Sequence, residues 1–283
     1  MTIKFPRLAI VALVLIVLVP LLGTSALAPK AQAELNAMFY TTGPGTDPAN
    51  GKEIFAIQVT GSKITTQDIG STHGGSCDTL ALSPSGTLYS MCGPLFGDEQ
   101  LATIDPKTGR ATLFGTAVPG LAVMSLDFAS NGTLYAVGDC NPAPTTKECT
   151  PGSDPNYNSL YTVDVKTGAF TRVGATGAPQ FFMDLAFDSN GKLYGVTTTL
   201  GSSMVPAILY SIDPATGKAT KIVNLVGSNS LMGLAFGPDG KLYATDYAKN
   251  PGLYLIDMTT GFETAIAALP FGPSGTLELM RPQ

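Results

Sequence analysis

The chain has 283 residues, including 32 Gly, 21 Pro, four Cys, one His and no Trp. Only 13% of the residues are charged, the net charge is −5, and no basic stretch is long enough to follow a phosphate backbone, which excludes nucleic acid as a partner. The single His excludes the common zinc sites that need two or three imidazoles.

The first predicted element is an export signal over residues 1–33. Two basic residues precede an apolar run from Leu8 to Leu22, and the small residues of Ala31-Gln32-Ala33 fit a signal-peptidase site before Glu34. The alternative is an uncleaved membrane anchor, because stretching the apolar run to Ala28 would approach the ~20 residues that span a bilayer. With cleavage, the sequence predicts one secreted or extracytoplasmic domain over residues 34–283, with no membrane contact.

Two short motifs alternate along the remaining chain. The first has the form Leu-Tyr-x-Ile-Asp-x-x-Thr-Gly, and its copies begin at Leu101, Leu160, Leu209 and Leu253, with a shorter relative at Ile54. The second has an apolar run, a turn ending in Gly and a Leu-Tyr pair, and its copies begin at Leu80, Leu126, Leu185 and Leu234. Each motif is a β-hairpin, so each period of about 40–50 residues holds four strands, which is typical of a β-propeller blade.

The ends of the chain predict the number of blades. We label the strands of a blade A to D from the central channel outward. Residues 37–42 resemble a B strand without a preceding A strand, and residues 276–280 resemble an A strand without a following B strand. Together they would complete one blade, which closes the ring and removes exposed sheet edges. The sequence therefore predicts an all-β, five-bladed propeller of four antiparallel strands per blade.

The four cysteines fit export, because disulfides persist outside the cytoplasm. Sequence alone allows three pairings. Folding the chain at the turn Ser83–Gly86 brings Cys77 close to Cys92, which favours that pair. Cys140 and Cys149 would then close a small loop inside the insertion between residues 140 and 159, which is either a recognition element or a tolerated insertion.

At these motifs the chain resembles the NHL-repeat and SMP-30/lactonase-like propellers. The resemblance covers essentially the whole mature chain and implies architecture, since this scaffold carries lactonases, lyases, glycosidases and binding modules. The metal set of the lactonases cannot be placed here, because the only Glu on a proposed inner strand is Glu278. Lyases of this type use two His, whereas this chain has only His73. Arabinan-degrading enzymes use three channel carboxylates, which are loosely imitated here by Asp78, Asp127 and Asp184.

Ligands of propellers usually bind at one mouth of the channel, between the D–A and B–C loops. The candidate ligand-binding residues there are His73, Asp78, Gln180, Asp184, Asn229 and Asp246. His73 is either a ligand contact or a polar loop residue. Asp78 and Asp184 are either a metal or acid–base pair across the channel or caps of loop N–H groups. The recurring Asp residues of the first motif are predicted to be structural turn residues, namely Asp105, Asp164, Asp213 and Asp257.

These observations predict a secreted, monomeric propeller that binds a small molecule, a glycan or a protein at a channel mouth. No catalytic residue and no cofactor are assigned, because the predicted mouth is poor in catalytic groups. The alternative is a metal-dependent lactonase or hydrolase whose channel carboxylates hold a divalent cation such as calcium.

Overall fold

The repeated motifs fold as antiparallel β-hairpins, and four strands form each sheet from the centre outward. The structure, a computed structural model, describes residues 36–44, 52–61, 63–73, 75–93, 98–140, 157–198, 206–227, 230–246, 251–270 and 275–280. The predicted export signal over residues 1–33 lies outside these ranges. No helix that could cross a membrane occurs in the described ranges.

The strands form five sheets, which we number as blades I to V. Blade I consists of β1 (Asn36–Gly43), β2 (Glu53–Thr60), β3 (Lys63–Ser71) and, on its inner side, β21 (Leu277–Leu279). Blade II consists of β4 (Ser76–Cys77), β5 (Ala81–Leu82), β6 (Leu88–Gly93), β7 (Gln100–Ile104) and β8 (Ala111–Leu113). Blade III consists of β9 (Leu121–Phe128), β10 (Leu134–Cys140), β11 (Ser159–Val163) and β12 (Phe170–Ala175). Blade IV consists of β13 (Phe181–Phe187), β14 (Leu193–Thr198), β15 (Ile208–Ile212) and β16 (Ala219–Asn224). Blade V consists of β17 (Leu231–Phe236), β18 (Leu242–Asp246), β19 (Gly252–Ile256) and β20 (Glu263–Ala268).

Both ends of the described chain build blade I, as the sequence predicts. β21 pairs antiparallel with β1, with Tyr40 opposite Glu278. The five-bladed propeller is therefore confirmed, and its closure uses the A strand predicted over residues 276–280. Because a closed ring pairs the edge that β1 would otherwise expose, the closure protects the first blade from edge-to-edge association.

Blade II departs from the simple pattern, because its A strand is interrupted. β4 and β5 pair separately with β6. Between them, the Thr79 hydroxyl accepts a hydrogen bond from the backbone N–H of Met91 at 2.7 Å. A side-chain oxygen thus replaces a backbone carbonyl where the strand pairing is broken.

The predicted disulfide between Cys77 and Cys92 is confirmed. The two residues face each other in the β4–β6 pair, with Cα atoms 4.1 Å apart. Cys140 is also disulfide-bonded. Cys149 and the insertion residues 141–156 lie outside the described residues.

Five hydrophobic clusters fill the described interior, each between two neighbouring blades. The cluster around Phe39 and Leu277 of blade I also contains Tyr243 and Leu253 of blade V, so the core is continuous across the ring closure. Burial on both faces of each sheet explains the side-by-side apolar pairs of the motifs, where a sheet with one wet face would alternate.

The Leu-Tyr pair of the second motif has a structural role between blades. Tyrosines of B strands pack against the phenylalanine that ends the next A strand, at ring-centroid distances of 5.5, 5.4 and 5.2 Å for Tyr89–Phe128, Tyr135–Phe187 and Tyr194–Phe236. These tilted contacts favour one packing arrangement between neighbouring blades. They also place a ring of apolar residues at the ends of the A strands.

The aspartates of the first motif are turn residues, as predicted. The Asp105 carboxylate accepts the backbone N–H of Lys107 at 2.8 Å, and its carbonyl accepts the N–H of Gly109 at 2.8 Å. Gly109 has a φ of 74°, in the left-handed region that glycine tolerates best. The equivalent carboxylates of Asp164, Asp213 and Asp257 make the same kind of contact.

Candidate functional site

The propeller has two faces around its channel. The face that carries the B–C and D–A loops is here called the loop face, and the face that carries the A–B and C–D turns is called the turn face. Five of the six predicted ligand-binding residues are described, and Asn229 lies outside the described residues. Their sequence positions place His73, Asp78, Gln180 and Asp246 toward the loop face, whereas Asp184 lies within the A strand β13.

The residues toward the loop face are held separately from one another, and Asp78, Gln180 and Asp246 each have their own partners. His73 is exposed and has a φ of 50°. Asp78 forms an ion pair with Lys52 at 2.9 Å and accepts a hydrogen bond from the hydroxyl of Ser76. Gln180 accepts a hydrogen bond from the hydroxyl of Thr197 at 2.8 Å.

Asp246 is buried at the end of β18, and Ser230 donates a hydrogen bond to its carboxylate at 3.2 Å. In the described chain, no group of three or more His, Cys, Asp or Glu side chains could hold a metal ion.

Asp184 connects the A strands of four blades. Its carboxylate accepts the N–H of Leu234 in β17 at 2.6 Å and the N–H of Leu277 in β21 at 3.3 Å. Ser125 in β9 donates its hydroxyl at 2.5 Å, and Thr276 donates its hydroxyl at 3.2 Å. One side chain therefore joins the inner strands of blades III, IV, V and I.

The position of Asp184 also determines its acidity. Burial raises its pKa from 3.8 to about 7, while hydrogen bonds from Ser125 and from the N–H groups of Leu234, Leu277 and Leu185 oppose the rise. The contacts that hold the carboxylate come from other inner strands and not from Asp78. In this structure Asp184 therefore acts as a cross-link at the centre of the propeller.

One buried carboxyl toward the loop face was not singled out by the sequence. Glu99 lies in the B–C loop of blade II and accepts the N–H of Val123 in blade III at 2.8 Å. Burial raises its pKa from 4.5 to about 7, the Val123 N–H opposes the rise, and the negative charge of Asp78 adds to it. The sequence signal was weak, because Glu99 follows another acidic residue and has no equivalent at the same point of the other repeats.

A cavity of ≈ 1370 Å³ opens at the turn face. Its walls include the residues that end four A strands and the first residue after β21, which are Leu82, Phe128, Phe187, Phe236 and Met280. Serines of the A–B turns, namely Ser83, Ser85, Ser130 and Ser189, line its rim. We call this space the turn-face cavity.

Two buried carboxylates lie in the wall of the turn-face cavity. Asp127 and Glu278 occupy equivalent A-strand positions, where blades IV and V have Ala186 and Ala235. Each is 8% exposed. The Asp127 carboxylate accepts the N–H of Phe128 at 2.7 Å and the N–H of Phe187, in the next blade, at 2.6 Å.

The sequence identifies the residues of this wall but does not show that they surround one cavity. Asp127 and Glu278 were recognised as inner-strand acids, and the phenylalanines belong to the second motif. Side-chain alternation does not show which inner-strand residues line a cavity, because that depends on contacts between strands of different blades. The sequence therefore predicts a ligand site at the loop face, whereas the described cavity opens at the turn face.

Comparisons with known proteins agree with the architecture. Residues 152–277 match a family described as a repeat of unknown function (DUF6923). No curated protein matches the chain. Among solved structures, the PQQ-bound aldose sugar dehydrogenase from Streptomyces coelicolor is 12% identical with a TM-score of 0.50, and the alignment covers 83% of this chain and 86% of that one.

Two further solved structures are similar. A gluconolactonase from Xanthomonas campestris is 15% identical with a TM-score of 0.49, covering 86% of this chain and 79% of that one. TolB from Acinetobacter baumannii is 13% identical with a TM-score of 0.49, and this chain spans 66% of its length, just under two thirds. At these identities the similarity concerns the fold. The chain is a five-bladed β-propeller whose architecture resembles that of the NHL-repeat and SMP-30/lactonase-like propellers.

Proposed function

We propose that the protein is an extracytoplasmic binding module that holds a small ligand in the turn-face cavity without chemical conversion. The observation that carries the proposal is the cavity itself, a concave space of ≈ 1370 Å³ with apolar walls and a polar rim. Ligand sites are usually concave and mostly apolar, with a few polar groups that orient the ligand. The small ligand could also be one group of a larger molecule, such as a glycan or an exposed segment of a protein.

The chemistry of the wall supports binding over catalysis. The described lining contains no His, Cys or Lys, which are the side chains that most often act as bases or activated nucleophiles near neutral pH. Both oxygens of the Asp127 carboxylate already accept backbone N–H groups. This carboxylate is therefore held by the fold and is poorly placed to transfer protons.

The extracytoplasmic location is supported by the Cys77–Cys92 disulfide, because such bonds persist in oxidising compartments. We further propose that the protein binds its ligand as a monomer and without a metal cofactor. Size-exclusion chromatography with light scattering tests the first point. Addition of EDTA should leave the thermal midpoint unchanged, and a clear loss of stability would contradict the second.

The absence of tryptophan from the chain allows a direct test. Ser130→Trp places the sole tryptophan at the exposed rim of the cavity, and Thr112→Trp places it on the exposed outer strand β8 as a matched control. Both variants are screened by fluorescence against sugars, lactones, peptides, amines and carboxylic acids. We expect a saturable change in the Ser130→Trp signal only. A binder that changes only the control, or no binder in any class, would refute the proposal.

A further inference from the structure

We propose that the turn-face cavity is selective for an organic cation, such as an alkylammonium group attached to an apolar or aromatic body. This inference rests on the proposed function and adds the chemical class of the ligand. It is carried by the distribution of charge and aromatic rings around the cavity.

The charge of the lining has one sign. Three carboxylates line the cavity, and no Lys, Arg or His belongs to its described lining. Asp127 and Glu278 lie in the buried part of the wall, whereas Asp188 lies in the A–B turn of blade IV near the rim. A cation that enters would meet negative charge at both depths, and low-dielectric walls concentrate such a field.

The carboxylate of Asp127 is fixed in the wall by hydrogen bonds from the backbone. Two backbone N–H groups donate to it, and hydrogen bonds to the charged form favour that form. An ionised carboxylate has only acceptor sites. This part of the wall therefore repels anions and gives no donor to a neutral acceptor, whereas an ammonium group fits both its charge and its hydrogen-bonding capacity.

The aromatic part of the wall also favours a cation. Phe187 and Phe236 are only partly buried, and Tyr194 contributes to the lining as well. Ring faces attract cations through their negative quadrupole. Within the protein itself, the ammonium group of Lys192 lies 4.9 Å from the centre of the Tyr194 ring. Lys192 is exposed and does not belong to the lining of the cavity. Its contact shows that the Tyr194 ring can hold an ammonium group at the rim, and it leaves the cavity itself empty of this side chain.

The experiment compares three probes of one shape: 4-phenylbutylammonium, 4-phenylbutanol and 4-phenylbutyrate. Binding to the unaltered protein is measured by isothermal titration calorimetry, and its location by the fluorescence of Ser130→Trp. We expect the ammonium to bind ~10-fold more tightly than the alcohol, as one favourable desolvated cation contact would give, and the carboxylate to bind most weakly. The affinity of the ammonium should also fall as salt is added.

Two variants test the charge of the wall. Glu278→Gln keeps the size of the side chain, and Glu53→Gln is its control, because Glu53 is 7% exposed and lies at the loop-face end of β2 in the same blade. We expect Glu278→Gln to weaken the ammonium ~5-fold or more and to leave the alcohol unchanged, with no effect from the control. If Glu278→Gln does not fold, Asp188→Asn at the exposed turn removes a rim charge and is judged by the same criterion.

The outcomes separate this inference from the proposed function. If the alcohol or the carboxylate binds as tightly as the ammonium, or if only uncharged or anionic compounds of the broader screen bind at Ser130→Trp, the cation preference is wrong while ligand binding stands. Equal affinity of the ammonium for Glu278→Gln and the unaltered protein would overturn it as well. If no compound binds at all, both proposals fail.

Discussion

Removal of the Asp184 side chain should strongly destabilise the propeller. In Asp184→Ala, the buried N–H groups of Leu234 and Leu277 lose their side-chain acceptor, whereas the N–H of Leu185 keeps the Ser125 hydroxyl at 3.0 Å. Each buried donor without a partner costs about 1–3 kcal/mol, so these two N–H groups give a loss of about 2–6 kcal/mol, to which the Thr276 hydroxyl adds because it loses the same acceptor. The relief from burying a carboxylate offsets part of this loss, which places the expected value near the lower half of that range.

The assay is urea unfolding, with the midpoint and the m-value fitted together, so that a change in stability is distinguished from a change in the denatured state. Asp213→Ala is the matched control, because Asp213 is an exposed turn carboxylate that also accepts a backbone N–H. We expect the control to lose much less stability, because its turn N–H groups can bond to water instead. A loss for Asp184→Ala that is no larger than that of the control would show that the carboxylate is not a cross-link between blades.

The pH dependence gives a second measure of the same carboxyl. Because burial raises the pKa of Asp184 from 3.8 to about 7, the folded protein keeps this proton over a pH range in which the unfolded chain has released it. Stability should therefore fall as the pH rises from 3.8 to about 7 and should be independent of this group below that range. Asp184→Asn should reduce this slope, and an unchanged slope would contradict the assignment.

Three further predictions concern other parts of the ring. Cys77→Ser should lower the free energy of unfolding by about 3 kcal/mol, because the disulfide to Cys92 closes a loop of 15 residues. A reductant should then lower the thermal midpoint of this variant less than that of the unaltered protein. Glu99→Gln should reduce the fall in stability between pH 4.5 and about 7, since burial raises the pKa of this carboxyl, and urea unfolding at several pH values measures it. Gly109→Ala should lower the thermal midpoint, because a Cβ there would lie 2.2 Å from the carbonyl oxygen of Gly70 in blade I, whereas an unchanged midpoint would show that this turn can move.

Much of the fold could be predicted because each repeat specifies its own strands and turns through residues close in the sequence. The turn glycines, the Asp of the first motif and the Leu-Tyr pair each specify a hairpin from nearby residues, and their spacing gave five blades and the closure by β21. The interruption at Thr79 was not predictable, because it depends on a hydrogen bond from Met91 in the neighbouring strand. Local patterns indicate strands, whereas a break in pairing depends on the partner strand.

The candidate site was less predictable for the same reason. Asp184 stands in a motif copy much like the others, and only the arrangement of four A strands makes it a cross-link. The inner strands that meet at Asp184 are joined by contacts between residues 50 to 93 positions apart in the chain. No single repeat contains this information.

The shared blade has a consequence for how the protein is made. β1 is synthesised before its inner partner β21, which begins only at Leu277. Blade I therefore stays incomplete until β21 has been synthesised, and the inner edge of β1 is exposed during that time. Since long-range pairing of this kind slows folding, ring closure is expected to be the slow step of maturation, and chaperone capacity in the compartment would limit the yield.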